Sequence, residues 1–285
     1  MHKKIGTQLH AATGAFSAPA DSPARMMALN LCMAPGGYTS TILEVNPSAY
    51  VKGITLSEES GGHTMPLPFG NEDSRVDVKF MDITMLASEY GPSNANIPLA
   101  HPEAGEFAED SPYQGITFDI VVCDGQNLRT HKRAACRNNQ EALRLMLSQL
   151  IFGMNRIRAG GTLVILLHQL GSWNSVKLLR AFDSFSSVQL FKPLGFHQDR
   201  SSFYLVAKDV QPGAPEAIKS IEQWRFEWWQ TTFGGVESTG KSVEDDSKLV
   251  NSVLESFGQK FMELGRDIWK IRLEAMKGAS YVNNT

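Results

Sequence analysis

The sequence predicts an α/β fold: a mostly parallel sheet with an antiparallel hairpin at its end, followed by a helical C-terminal extension. Short apolar segments alternate with helical patterns before residue 210, and each segment is apolar almost throughout. That pattern is typical of strands buried on both faces of a sheet. The last two segments, 188–191 and 203–208, have no helix between them, which predicts the hairpin. The 285 residues suffice for one such domain over 1–210 and an extension over 211–285.

The elements can be assigned in chain order. A helix is predicted over 3–13, where Ile5, Leu9 and Ala12 have helical spacing and Gly14 can end it. Strands before the hairpin are predicted at 26–32, 50–56, 76–80, 118–123 and 162–168. Further helices are predicted from the Gly36-Gly37 turn to about Glu44, from the end of the fourth strand to about Ile157, and over 173–182.

Two regions lie outside this alternation. Residues 91–115 are rich in Pro, Ala and Glu, and we expect either a partly ordered lid or flank, or disorder. From Pro212 the chain is predicted to be helical, and Val243–Asp246 to form an acidic hinge between two helices. An apolar stripe of alternating four and three spacing predicts packing on the same chain or a homodimer helix. Its residues are Val250, Leu254, Phe257, Phe261, Leu264, Ile268, Ile271 and Ala275, and its expected partners are Trp224, Phe226, Trp228 and Trp229.

Composition and charge narrow the class of protein. The net charge is −3, so any basic surface for nucleic acid must be local. The three cysteines, Cys32, Cys123 and Cys136, indicate a reducing compartment, and no Cys or His pair has zinc-site spacing, so no metal is predicted. No apolar stretch reaches the ~18 residues of a membrane span, and the N-terminus lacks an apolar signal region. We therefore expect a soluble cytoplasmic or nuclear protein.

A glycine turn follows the first strand, at Ala34-Pro35-Gly36-Gly37-Tyr38. A turn of this kind between a strand and a helix brings backbone N–H groups toward a ligand at the carboxyl edge of the sheet. The dinucleotide pattern G-x-G-x-x-G is absent, so NAD and FAD are poor fits. The alternative is a plain loop.

Acidic residues end the third and fourth strands. Asp82 can accept a hydrogen bond from an adenine amino group, or can cap the helix that begins near Thr84. Asp124 is a candidate site carboxylate, or a turn former before Gly125. Gly160-Gly161-Thr162 opens the fifth strand, and the order of these elements favours a cofactor site.

Taken together, these motifs resemble the FtsJ-type methyltransferases over about residues 26–208. The resemblance implies a Rossmann-like class I methyltransferase sheet, S-adenosylmethionine (SAM) as methyl donor, and an RNA ribose 2′-hydroxyl as acceptor, as in rRNA processing. The matching segments are Leu31–Tyr38, Val122–Gly125, Gly160–Val164, Phe191–Pro193 and Arg200–Val206. The residues implied to bind the cofactor are Asn30, Cys32, Ala34, Pro35, Gly36, Gly37, Tyr38, Thr55, Asp82 and Asp124.

The resemblance also implies a Lys-Asp-Lys-Glu tetrad, of which this chain matches only part. Asp124 matches the Asp, but Leu166 and Ser202 occupy the positions of the second Lys and the Glu. The first Lys is assigned to Lys4, with Lys3 as the alternative. In such a tetrad, a lysine held by two carboxylates orients a ribose hydroxyl and helps to remove its proton.

The cofactor positions also depart from the family pattern. Asn30 stands where the family has an acid at the start of the cofactor strand. Thr55 lies near the position of the acid expected after the second strand, with Ser57, Glu58 or Glu59 as alternatives for contacting the cofactor ribose.

His168 is the third catalytic candidate, beside Asp124 and Lys4. It lies two residues after Leu166, so both side chains point to the same face of the strand. A histidine at this strand end can act as a base or position the acceptor. Alternatively, it bonds to a loop carbonyl.

A basic run directly follows Asp124. Arg129, Lys132, Arg133 and Arg137 are candidates to bind RNA phosphates, and Arg144 would share a helical face with Arg133 and Arg137. The alternative is a solvated helix face. Two other functions stay open: methylation of a small molecule on the same fold, and a non-catalytic SAM-binding scaffold.

Overall fold

The computed structural model describes residues 1–18, 25–65, 73–91, 97–127, 131–137, 140–234 and 243–278. Within these ranges the core is a seven-stranded sheet of order β3-β2-β1-β4-β5-β7-β6. Strands β1 to β5 pair in parallel, whereas β7 is antiparallel to both β5 and β6. The predicted fold class is therefore confirmed. The strands are β1 Met27–Leu31, β2 Tyr50–Thr55, β3 Val76–Phe80, β4 Phe118–Cys123, β5 Ile157–His168, β6 Ser187–Phe191 and β7 Ser202–Val210.

Helices cover both faces of the sheet, so its central strands are buried. Every residue of β4 is buried, which explains why its sequence is apolar except at Asp119, a carboxylate that accepts from the Met27 amide and pairs with Arg158. The helices are α1 His2–Thr13, α2 Gly37–Val45, α3 Ala87–Tyr90, α4 Glu141–Met154, α5 Trp173–Phe185, α6 Pro215–Phe233 and α7 Val243–Lys277.

Strand order reverses between β1 and β4, which are neighbours at the centre of the sheet. In sheets of this kind, ligands bind outside the carboxyl ends of the strands at such a switch point. The ends of β1 and β4 carry Cys32 and Asp124. The topology therefore places both residues at the crevice where a ligand is expected.

The predicted long helix directly after β4 is wrong. Helix α4 begins only at Glu141, and a short 3₁₀ turn at Ala135–Arg137 precedes it. The amide of Lys132 donates to the Ser60 carbonyl (3.1 Å), and the Arg137 guanidinium is ion-paired with Asp82. These distant partners hold the segment as an irregular connection against the β2–β3 side of the sheet.

The segment before β4 is a turn-rich flank rather than a disordered loop, over the part that is described. Its buried residues Ile97, Phe107 and Tyr113 belong to the main core, and the His101 ring packs edge-on against Phe233 of α6. Residue Glu103 is also buried there. This flank therefore contributes to the fold beside α6.

The C-terminal extension is helical, as predicted, and packs on its own chain. Trp228 of α6 is fully buried against Tyr90, whereas Phe226 is exposed, contrary to its predicted packing role. Val243–Asp246 is not a hinge but the first residues of α7. Helix α7 packs on α5 and β6, and it buries Phe257 and Ile268 of its apolar stripe together with Val253, which lies outside the predicted stripe. A homodimer through this helix stays a prediction.

No helix within the described ranges is long and apolar enough to cross a membrane.

Candidate active site

A cavity of about 380 Å³ opens at the carboxyl edge of the sheet. It lies at the ends of β1 to β5 and at the start of β7, and the first residues of α1 close one side. Its volume falls within the range of roughly 300–1,000 Å³ typical of small-molecule sites. The residues that line it at or near the strand ends include Cys32, Thr55, Asp82, Asp124, His168 and Tyr204.

The glycine turn forms the wall between β1 and α2. Gly36 has φ 84°, a left-handed conformation that glycine adopts without steric cost, and it precedes the first residue of α2. The amide of Ala34 donates to the Thr55 hydroxyl (3.3 Å), and the amide of Met33 to the Ile54 carbonyl (3.0 Å). The turn is thus fixed against the end of β2.

The predicted cofactor residues fall into two groups around this turn. Cys32, Ala34, Thr55, Asp82 and Asp124 line the cavity. Burial raises the pKa of the Cys32 thiol to about 12, so this cysteine stays protonated. The other predicted residues, Asn30, Pro35, Gly36, Gly37 and Tyr38, are not among the residues that line the cavity.

Asn30 and Gly37 show how these residues support the turn. The buried Asn30 amide donates to the Thr39 hydroxyl of α2 (3.0 Å), which ties β1 to that helix. A Cβ at Gly37 would lie 2.5 Å from the backbone nitrogen of Lys3. Only glycine therefore lets α1 approach the turn so closely.

Asp82 caps a 3₁₀ turn and anchors an ion-pair cluster. One carboxyl oxygen accepts from the Thr84 amide (2.9 Å) and the other from the Arg137 guanidinium (2.8 Å). Burial opposes ionisation, but Arg137 and Thr84 outweigh it and keep the pKa of Asp82 below its usual value. The capping alternative is confirmed, and the charged carboxylate still faces the cavity.

The cluster around Arg137 overturns the predicted basic helix face. Arg137 also pairs with Glu141 (2.5 Å) and Glu103 (3.5 Å), and Arg144 lies 3.8 Å from Glu103. Both arginines are buried, with exposures of 7% and 2%. Carboxylates from three segments take up their charge, so neither forms a surface for phosphates.

The remaining basic candidates lie closer to solvent. Lys132 and Arg133 line the cavity, and the Arg133 guanidinium donates to the side chain of Asn127. Arg129 lies outside the described residues. Lys4 is exposed on α1 and does not line the cavity, because the start of the helix turns His2 toward it instead. Lys3 is paired with Glu44.

Asp124 is the buried carboxyl at the centre of the site. Its Oδ1 atom is buried and has no hydrogen-bond partner among the described residues. Burial raises the pKa of the Asp124 carboxyl to about 8, and a hydrogen bond from the Tyr204 hydroxyl limits the rise. Among the described residues, no cation neutralises this carboxyl in the way that Arg137 neutralises Asp82.

Two tyrosine hydroxyls form a hydrogen-bonded chain that ends at Asp124. The hydroxyls of Tyr204 and Tyr38 lie 2.6 Å apart. A hydroxyl has one proton to donate, so when Tyr204 donates to Asp124, Tyr38 is the donor to Tyr204. Tyr204 was missed in the sequence because it lies in an apolar strand, and Tyr38 was recognised only as part of the turn.

His168 lies beside this group at the end of β5. Its Nε2 is 2.9 Å from the side-chain oxygen of Gln126, so its partner is a side chain rather than a loop carbonyl. Burial, and then the charge of Lys192, lower the pKa of His168. The antiparallel register sets His168 opposite Ser202 and Leu166 opposite Tyr204, and all four line the cavity.

Comparison with known proteins identifies the family of this chain. A model of the FtsJ-like methyltransferase family matches residues 8–210. The chain belongs to the FtsJ-like methyltransferase family. It is therefore a SAM-dependent methyltransferase, as the resemblance predicted, and SAM is its methyl donor. No curated protein matches it in sequence.

Several solved structures are weakly similar to this FtsJ-like chain. An rRNA methylase from Streptococcus thermophilus is 11% identical, with 74% of this chain and 94% of that chain covered and a TM-score of 0.41. TrmN from Thermus thermophilus is 12% identical, with 72% of this chain and 48% of that chain covered and a TM-score of 0.41. Human methyltransferase-like protein 13 in complex with SAH is 11% identical, with 85% of this chain and 98% of that chain covered and a TM-score of 0.40. Likenesses this weak do not identify a substrate.

The residues of the FtsJ-like cavity fit the SAM that the family uses. The buried Oδ1 of Asp124 has no partner among the described residues, so the cavity holds a polar atom that a molecule bound there must satisfy. The glycine turn, Thr55 and Asp82 surround the same space with further polar groups. The cavity thus presents carboxyl groups on one side and the glycine turn on another. A nucleoside that carries a charged substituent, such as SAM, can contact both.

Proposed function

We propose that this FtsJ-like methyltransferase methylates a ribose 2′-hydroxyl of RNA, with Asp124 as the group that receives the hydroxyl proton. The observation that carries the proposal is the buried Asp124 carboxyl, which has an unpartnered oxygen and no neutralising cation among the described residues. A ribose hydroxyl is a weak nucleophile, so its proton must be removed as the oxygen reacts. A carboxylate at the cavity wall can receive that proton directly.

The residues that replace the family tetrad favour this role for Asp124. Leu166 and Ser202 cannot supply the second lysine and the glutamate, and Lys4 is exposed away from the cavity. Without a tetrad lysine to stabilise its charge, Asp124 has a pKa of about 8, close to the pH at which a general base works best. The Tyr38–Tyr204 pair fixes the orientation of the carboxyl, which leaves Oδ1 for the acceptor.

Other residues of the cavity have supporting roles in this proposal. Asp82 and Thr55 would hold the adenosine part of SAM, and the turn at Ala34 the part that carries the methyl group. When bound, SAM supplies an electrophilic methyl group to an attacking oxygen. Neutral His168, whose Nε2–H donates to the Gln126 side-chain oxygen, would accept a hydrogen bond from a hydroxyl of the acceptor through Nδ1. Lys132 and Arg133 at the cavity support an acceptor that carries phosphates.

The test is transfer of tritiated methyl from SAM to total RNA, with a metabolite extract as the parallel acceptor. Alkaline hydrolysis of the RNA then locates the label, because a methylated 2′-hydroxyl cannot assist cleavage and leaves labelled dinucleotides. We expect label in dinucleotides with the native protein and none with the Asp124→Asn variant. Label in mononucleotides would refute ribose as the acceptor, and label only in the metabolite extract would favour a small-molecule methyltransferase.

A further inference from the structure

Histidines from separate segments converge on the cavity. His2 lies on α1, His63 between β2 and β3, His131 between β4 and α4, and His197 between β6 and β7. His63 is exposed and the other three are half-buried, so none of them serves the core. Only His10 and His101, of the seven histidines, are absent from the cavity lining. Packing alone does not explain this concentration.

The other charged groups that line the cavity provide little negative charge to neutralise these histidines when they are protonated. The acidic residues are Asp82 and Glu141, both paired with Arg137, and the buried Asp124. The remaining titratable groups on the lining are the Met1 amino group, Cys32, Lys132, Arg133, Arg137, His168, Arg200 and Tyr204. Cations therefore outnumber accessible carboxylates among the described residues that face the four histidines.

Burial and neighbouring positive charges act on two of the four histidines. Burial lowers the pKa of His2 most, followed by the N-terminal amino group and then His63 and His197. Burial, Arg133 and His63 lower the pKa of His131 and outweigh the opposing effect of Asp82 and Glu141. A bound anion would offset these positive charges and favour the charged form of His2 and His131.

Hydrogen bonds to the main chain hold three of the segments in place before any ligand binds. The Lys192 ammonium donates to the carbonyls of His197 (3.3 Å), Arg200 (2.8 Å) and Ser202 (2.6 Å), which fixes the β6–β7 connection. The Lys132 amide donates to the Ser60 carbonyl and joins the segments that carry His131 and His63. The main chain that carries these three histidines is therefore held at the cavity, which reduces the cost of ordering an anion site.

We propose that His2, His63, His131 and His197 form a phosphate-binding rim that takes up the backbone of the acceptor RNA in their protonated form. The proposal rests on the proposed function, because it takes RNA as the acceptor. A protonated imidazole donates from both ring nitrogens, whereas the neutral ring has one donor. RNA affinity should therefore rise as pH falls.

The experiment measures binding of a short fluorescent oligouridylate to the full chain by anisotropy, at several salt concentrations, at pH 8 and pH 6. We expect the affinity of the native protein to rise about tenfold or more toward pH 6, since each protonated imidazole adds a charged interaction with phosphate. The slope of log affinity against log salt should steepen by about 0.7 for each further phosphate that the protein neutralises. Equal affinity and slope at both pH values would overturn the proposal.

Matched variants separate the rim from a general effect of histidine charge. The variant with His2, His63, His131 and His197 all changed to Gln should lose the pH response. The control with His10→Gln and His101→Gln should keep it, because neither residue lines the cavity. A quadruple variant with the native pH response would refute the rim.

A variant with one substitution tests the rim even if the quadruple variant does not fold. His63 is exposed, so His63→Gln leaves the core untouched, and its salt slope at pH 6 should be shallower by about 0.7. An unchanged slope would remove His63 from the rim. Circular dichroism confirms that each variant is folded.

Failure of the rim and failure of the proposed function give different results. A pH response that depends on the four histidines, without label in ribose, would overturn the proposed function and keep the rim. Labelled ribose together with binding that is independent of pH would overturn the rim and keep the proposed function.

Discussion

Two groups of buried charge lie at the same edge of the sheet and differ in how they are compensated. Around Arg137, the carboxylates of Asp82, Glu103 and Glu141 surround one guanidinium. Around Asp124, the neighbouring groups are the neutral hydroxyls of Tyr204 and Tyr38. A buried charge that stabilises a fold is paired, whereas one kept for chemistry is left uncompensated at a cost in stability. The difference favours Asp124, rather than Asp82, as the reactive carboxyl.

The largest expected effect comes from removing the uncompensated carboxyl. Asp124→Asn keeps the shape of the side chain but loses the proton acceptor, so kcat for methyl transfer should fall by ~10²–10⁴-fold. Steady-state assays with tritiated SAM measure the loss, and calorimetry should show that SAM still binds. Native turnover in this variant would remove Asp124 from the chemistry.

Breaking the compensated cluster should affect stability. Arg137→Gln leaves three acidic side chains without their shared cation, and the free energy of unfolding in urea should fall by about 3–5 kcal/mol. The control is Lys277→Gln, which removes an exposed ion pair with Glu274 and should cost at most about 1 kcal/mol. Equal losses in the two variants would contradict the distinction between buried and exposed pairs.

The pH dependence of stability tests the same contrast at Asp124. Its pKa is near 3.8 in the unfolded chain and about 8 in the folded one, so the folded state holds the proton more tightly. The native protein therefore loses stability as pH rises from about 4 to about 8, and Asp124→Asn does not share that loss. Urea unfolding at pH 5 and pH 8.5 should show the variant gaining about 1–3 kcal/mol relative to the native protein. No relative gain would mean that Asp124 titrates normally.

The smallest expected effect concerns the tyrosine pair. Tyr38→Phe removes the hydrogen bond that fixes the Tyr204 hydroxyl, and a bond of about 0.5–1.5 kcal/mol corresponds to a loss in kcat of at most about tenfold. The rise of kcat with pH, centred near 8, should move to higher pH because Asp124 is stabilised less as a carboxylate. Tyr113→Phe, which loses a bond to the Gly53 carbonyl away from the cavity, is the control and should leave the pH profile unchanged.

Features that depend on residues close together in the chain could be predicted from the sequence. Strand β4 has the predicted limits because a largely apolar run bounded by turn residues defines a buried strand, and β3 also has its predicted limits although none of its residues is buried. Asp124 was found because it ends such a strand. The helix after β4 was mispredicted because the spacing of Arg133 and Arg137 is helical, yet partners distant in sequence hold the segment.

Features formed by distant segments could not be predicted from the sequence. Glu103 pairs with Arg137 from a region that composition described only as a lid or flank. The hydroxyl contact between Tyr38 and Tyr204 joins two elements, and an apolar strand pattern gives no sign of it. The four rim histidines come from four separate segments, and none has a local signal that points to the others.

Lys192 has a consequence for how this enzyme can evolve. It binds the β6–β7 connection through main-chain carbonyls, which every amino acid supplies. The connection can therefore exchange the side chain at Arg200 without losing its shape, provided that the lysine is kept, whereas the φ of 52° at His197 restricts the residues that fit there without strain. Acceptor preference can change at this corner of the cavity by single substitutions, while the path of the backbone stays the same.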